Sequence, residues 1–226
     1  MIYKKNHMEG SIERVYRYLF DQIINNHLKP GEALSEVEIA TAMSSSRTPV
    51  REALTLLESE GLVRRYPRRG CFVAEVTIDD LEEIFELRIN MEVCALRKSY
   101  GLISNDELSR LEKDLLSLKP DSKPKAYYDS DRALHSLIIQ NCGNGRLVDF
   151  LGILNAQIER LRYISAMKPE RLPLSRNEHL QIVRAMQSRD LSLAEKLLTS
   201  HIEHVRDSTR DVCRYLNNAE HAVFKY

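Results

Sequence analysis

The sequence predicts a mainly α chain in two parts, an N-terminal winged helix-turn-helix domain followed by an all-α antiparallel helical bundle. Two observations carry this. Apolar residues recur at helical spacing through most of the chain, and the β-prone runs sit in one short stretch between Leu62 and Val73. A length of 226 residues suits two modest domains, and 43% hydrophobic against 29% charged residues is the balance of an ordinary globular chain. No run approaches the ~18 apolar residues of a membrane span. The opening MIYKKNHMEGSIERVY also lacks the apolar run of a secretory signal, so a cytoplasmic protein with no membrane partner is expected. Cys71, Cys94, Cys142 and Cys213 have no CxxC or zinc-ribbon spacing, and reduced structural thiols are expected.

The first domain is placed at residues 1–75. Ile12, Tyr16, Leu19, Phe20 and Ile23 form a helical stripe that the turn Lys29-Pro30-Gly31 closes. Ser35 with Glu38 is a capping pattern for a short second helix carrying Ile39, Ala40 and Met43, which Ser44 to Ser46 end. In the next helix Val50, Ala53, Leu54 and Leu57 share one face, with Pro49 tolerated in the first turn and Arg47, Arg51 and Glu58 opposite. Beyond Gly61, Leu62-Val63 and Cys71-Phe72-Val73 flank Tyr66-Pro67-Arg68-Arg69-Gly70, which predicts a hairpin with a basic tip.

Charge supports a nucleic-acid role only locally. The 33 Lys and Arg balance 33 Asp and Glu, which argues against nucleic acid for the chain as a whole. Residues 44–70, however, hold six arginines against three acids, a net +3. Two short helices with a tight turn, the second exposing arginines one turn apart, form the geometry that enters a major groove. The run PGEALSEVEIATAMSSSRTPVREALTLLESEGLVRRYPRRGCFV, residues 30–73, and above all the block SRTPVREAL, resembles the DNA-binding domain of GntR-family bacterial transcription regulators. The resemblance implies DNA contacts by Arg47, Thr48 and Arg51 from the recognition helix, and a wing containing Arg68, Arg69 and Gly70. It also marks Val37 as a departure, at a position often arginine in the family.

The second domain is placed at residues 76–226. Thr77 and Ser104, each with an acid three residues on, start helices over about 78–99 and 104–118. Further helices are expected at about 125–141, 145–167, 174–187 and 191–216. Pro120/Pro124, Gly143/Gly145, Pro169/Pro173 and Ser188-Arg189-Asp190 punctuate them, and the short connections fit an antiparallel bundle. Leu147, Leu151, Leu154, Ile158 and Leu161 follow a seven-residue repeat in the fourth.

Polar residues intrude on the apolar stripes of this bundle. Asp131 and His135 share a face with Leu134 and Ile138, His179 precedes Ile182, Val183 and Met186, and His201 continues Ala194, Leu197 and Leu198. One such histidine is ordinarily a packed, hydrogen-bonded core residue. Three with a carboxylate carry a collective burial cost that one divalent metal offsets. Their nitrogen-rich set suits Zn, Ni or another late transition ion over Mg or Ca. His204, one turn beyond His201, is an alternative ligand with a less clearly inward offset. Arg88 and Glu92 extend the stripe of Leu81, Ile84 and Phe85. They form either a structural ion pair, or Arg88 helps hold the carboxylate of a small effector.

The second domain is similar to the FCD ligand-binding domain of FadR-like GntR regulators. Its metal-binding members carry an aspartate, a histidine four residues on and two later histidines, which Asp131, His135, His179 and His201 match, with Leu134 in place of the usual phenylalanine. The expected function is a homodimeric regulator, a repressor by expectation, that binds a palindromic DNA operator and senses a small organic acid at a metal-centred pocket. A metal-dependent hydrolytic enzyme is the main alternative, disfavoured because no HExxH-type glutamate accompanies the histidines. A helical interaction protein with merely packed histidines is the third.

Overall fold

The structure, a computed structural model, describes residues 10–223, with side chains described as far as Tyr215. Its internal packing separates two compact units. One comprises the described residues up to Thr77 together with Gly152–Tyr163, and the other Ile78–Leu151 with the residues from Ile164 onward.

In the first unit, helix α1 (Gly10–Ile24) buries Val15, Tyr16, Leu19, Phe20 and Ile23, the stripe expected from the sequence. Helix α2 (Glu36–Ala42) begins at Ser35, whose hydroxyl accepts from the Glu38 amide and so satisfies one of the donors left open at a helix start. Helix α3 (Arg47–Ser59) buries Pro49, Val50, Ala53, Leu54 and Leu57. It packs on both α1 and α2. The sheet has the order β1-β3-β2, with β1 at Ala33–Leu34, β2 at Val63–Tyr66 and β3 at Gly70–Val73. The hairpin pairs Val63 with Val73 and Tyr66 with Gly70. The sequence reading has no counterpart to β1, because two residues are too few to show an alternating pattern; β1 forms only because β3 offers it a free edge.

The middle of helix α7 (Gly145–Ser165) belongs to this first unit, whereas the sequence reading places the whole helix in the second domain. Ala156 is 4% exposed within the same apolar cluster as Leu19, Val50 and Leu57. Gly61 takes φ 74°, the left-handed region that favours glycine, and a Cβ there would lie 2.7 Å from Gln157 Nε2, the flexible end of a side chain from α7. Arg160 Nη1 donates to the Ala74 carbonyl at 2.7 Å. The periodicity of α7 is legible, but nothing in an apolar stripe says which core it enters.

The second unit packs α4 (Ile78–Ser99) against α6 (Pro124–Gln140) and α9 (Leu191–Val223). Helix α8 (Arg171–Gln187) lies against α9, α6 and α5 (Asn105–Ser117). Ser104 and Glu107 form a full capping box at the start of α5. Helix α8 starts at Arg171, with Pro173 inside the first turn rather than ahead of the helix. A proline there costs nothing, because the first-turn amides have no partners within the helix. Leu81, Leu96, Leu134, Ile138, Ile182 and Leu198 are fully buried. Each contributes about 1.5–3 kcal/mol by leaving water. Among the described residues no helix is long and apolar enough to cross a membrane.

Candidate nucleic-acid interface and metal centre

The exposed face of the first unit is arginine-rich. Arg47, Thr48 and Arg51 lie on the solvent side of α3, because the other side is occupied by Val50, Ala53, Leu54 and Leu57. Arg51 reaches back to α2, donating to Glu36 from Nε at 3.3 Å and from Nη2 at 3.0 Å. The bond to Arg51 draws the Glu36 carboxyl below its usual range. Arg64, Arg65, Arg68 and Arg69 are all exposed on the hairpin. Arg68 takes φ 63° and Gly70 φ 101°, which close the tip, and the Arg69 guanidinium stacks over the Tyr66 ring at 5.8 Å. Val37, at the position where the family often has arginine, is exposed on α2 and supplies no charge.

In the second unit, Asp131 and His135 come from one turn of α6, His179 from α8 and His201 from α9. Their potential ligand atoms all lie within 4.8 Å of one another. His179 Nε2 and His135 Nε2 stand 3.2 and 3.4 Å from His201 Nε2. Asp131 Oδ1 lies 3.3 Å from His179 Nε2, 3.7 Å from His135 Nε2 and 3.9 Å from His201 Nε2. The three imidazoles are 0–2% exposed. His204, the alternative ligand, is outside this group, with its side chain 57% exposed.

The hydrogen bonds behind the rings fix which nitrogen faces inward. His135 Nδ1 donates to Glu92 Oε2, and His201 Nδ1 donates to Glu178 Oε2 at 2.7 Å. Both protons are thereby placed on Nδ1, leaving lone pairs on two Nε2 atoms that face each other. Burial, and then the neighbouring His179, pushes His201 well below the ordinary imidazole value, so it is neutral. Facing lone pairs repel unless a cation stands between them. Two metal–nitrogen bonds of about 2.1 Å at about 105° span about 3.3 Å, which matches the nitrogen separations here. The donor set therefore fits a divalent transition metal.

Arginines back this centre. Arg88, fully buried, donates from Nε to Glu92 Oε1 at 2.7 Å and places Nη2 3.3 Å from His135 Nε2. The ion pair with Glu92 is thus present, and the same side chain also reaches the histidine cluster. Arg171 donates through Nη1 and Nη2 to Glu178 at 3.0 and 2.5 Å. Burial opposes the charge on Glu178, but the bonds from His201 and Arg171 outweigh it and bring the carboxyl down to about 2. Glu178 and Arg171 have no place in the sequence reading. Their seven-residue spacing on α8 puts them on one face, a signal present in the sequence, but the attachment of Glu178 to α9 is a tertiary fact.

Comparison with known proteins matches both domains. Residues 11–73 match the bacterial regulatory proteins of the gntR family, and residues 83–204 match the FCD domain. The HTH-type transcriptional repressor RspR of Escherichia coli (strain K12) is 27% identical over 203 residues, covering 88% of this chain and 89% of the relative. The solved structure of E. coli McbR/YncC shares the fold at a TM-score of 0.74 and 21% identity, over 92% of this chain and all of that one (100%). The Zn2+-bound FCD domain of TM0439 is 26% identical with a TM-score of 0.52, covering 60% of this chain and 95% of that one. These domains and relatives are transcription regulators, not enzymes, which removes the hydrolase alternative. An arginine-faced winged helix joined to a bundle with an inward cluster of three histidines and one aspartate accords with both matches, and the chain belongs to the GntR family of bacterial transcription regulators, with an FCD domain as its C-terminal half.

Proposed function

We propose that this regulator is a cytoplasmic homodimeric repressor that binds a palindromic DNA operator and responds to a small carboxylate at a metal held by Asp131, His135, His179 and His201. The observation that carries the reading is the convergence of those four ligand atoms within 4.8 Å. Arg47, Thr48 and Arg51 read the major groove from α3, and Arg68, Arg69 and Gly70 form the wing beside it. One winged unit covers too little DNA for high specificity, and a two-fold dimer matches a palindrome. Zn or Ni suits the nitrogen-rich donor set.

Charge balance supports an anionic effector. The Arg88–Glu92 and Arg171–Glu178 pairs each cancel, so a divalent ion with Asp131 leaves one positive charge in a buried place. A carboxylate neutralises it. A metal held by the four ligands would supply Lewis-acid coordination for that carboxylate. Arg88 Nη2, 3.3 Å from His135 Nε2, is placed at the edge of the cluster to donate to the effector. For a response, the effector must bind the DNA-bound and DNA-free forms with different affinity, and DNA must shift effector affinity by the same factor.

The test is a thermal-shift screen of small carboxylates on purified protein whose mass has first been measured by light scattering. A particle of twice 26.2 kDa, and an acid that raises Tm only before chelation, are the expected results. A 26.2 kDa particle contradicts the dimer, and the absence of any chelation-sensitive shift contradicts the effector site.

A further inference from the structure

Behind the four ligands stand two matching relays. From α4, Arg88 Nε donates to Glu92 Oε1 at 2.7 Å, and Glu92 Oε2 accepts from His135 Nδ1. From α8, Arg171 grips Glu178 through two nitrogens, and Glu178 Oε2 accepts from His201 Nδ1 at 2.7 Å. The remaining oxygen, Oε1, also accepts from His204 Nδ1 at 2.9 Å. Arg88, Glu92 and Arg171 are 0%, 1% and 5% exposed.

We propose that Glu92 and Glu178 are positioning residues of the metal centre, each held by its arginine so as to aim one imidazole Nε2 inward and set how tightly metal is retained. The proposal rests on the metal reading above. An imidazole free to rotate and to exchange tautomers loses both freedoms on binding metal, and a carboxylate at Nδ1 has removed them beforehand. The carboxylate also raises the donor strength of the opposite nitrogen. Arg171, bidentate on Glu178, fixes that carboxylate's plane and cancels its charge, and Arg88 cancels the charge of Glu92 through Nε, so each relay orients its ligand without altering the balance between metal and Asp131. His204 shares Glu178 but no ligand position, and so acts as a tether on the carboxylate from the solvent side.

Glu178 is the more direct of the two to test, on the full chain with Zn2+ and Co2+ as probes. Removing it strands the buried Arg171, so three variants are compared: Glu178→Gln, Arg171→Met, and the two together. Zn2+ affinity is read by competition with a chromophoric chelator, ligand geometry by the visible spectrum of the Co2+ form, and folding by the melting temperature of metal-free protein. Glu178→Gln is expected to weaken Zn2+ binding ~10–100-fold and shift the Co2+ bands. The double variant is expected to recover the metal-free melting temperature of Arg171→Met while keeping the loss of affinity. If the double variant binds Zn2+ as tightly as Arg171→Met, Glu178 is structural and the proposal fails. If wild type itself binds no Zn2+, the metal reading falls first.

Discussion

Arg51 shows how a residue legible in the sequence acquires an unforeseen neighbour. Its place on the solvent side of α3 follows from the spacing of Val50, Ala53, Leu54 and Leu57. Its pairing with Glu36 does not, because that contact joins residues 15 apart through the turn between α2 and α3. Reading DNA requires Arg51 to leave the half-buried Glu36 carboxylate for a base or phosphate, an exchange of small cost because the Arg51 side chain is itself exposed and the pair is a surface ion pair. Arg51→Ala is expected to weaken operator binding roughly 5- to 150-fold with the melting temperature unchanged. Gel shifts at several salt concentrations separate a base contact, which changes affinity at every salt, from a phosphate contact, which mainly flattens the salt slope. Unchanged affinity in Arg47→Ala/Arg51→Ala contradicts the recognition-helix assignment. Among the metal-site residues, Asp131 and His135 are readable as a pair four residues apart. Glu178 shows in the sequence only its seven-residue spacing from Arg171, since its histidine partners lie on α9.

Helices and caps are largely legible because their signals are local. Ser35 and Ser104 cap α2 and α5 as their sequences indicate, and the serine run ends α2 before α3. What the sequence leaves open is which core each element enters. The middle of α7 buries Glu159 and Arg160 at 7% and 5% exposure beside Ala156, and packs within the winged unit. Its seven-residue repeat gives no sign of this, since polar residues at those positions look solvated until the unit they face is known. Arg160 holds the Ala74 carbonyl where the chain leaves β3. Arg160→Ala is therefore expected to cost about 1–3 kcal/mol of stability, measured by denaturant unfolding, because a buried carbonyl loses its donor. A cost below about 0.5 kcal/mol contradicts a structural role for this segment of α7.

For the molecule as a whole, zero net charge conceals two specialised regions. The local excess of arginine lies on the winged unit, and the polar intrusions into apolar stripes converge in the bundle, three helices each supplying what none could hold alone. That convergence is expected from periodicity, because a residue on an inward stripe has only the bundle interior to enter. The relays behind the ligands are not, because they depend on which helices are neighbours. The central claim is that the four-ligand centre holds metal and that effector control runs through it. Elemental analysis of wild type and His179→Ala, paired with operator gel shifts with and without a responsive carboxylate, tests it most directly. The account predicts about one metal per wild-type chain. It also predicts a His179→Ala variant with much lower occupancy, no carboxylate response and wild-type basal DNA affinity. Full metal content and an intact response in His179→Ala would contradict it and return the inward histidines to ordinary packing.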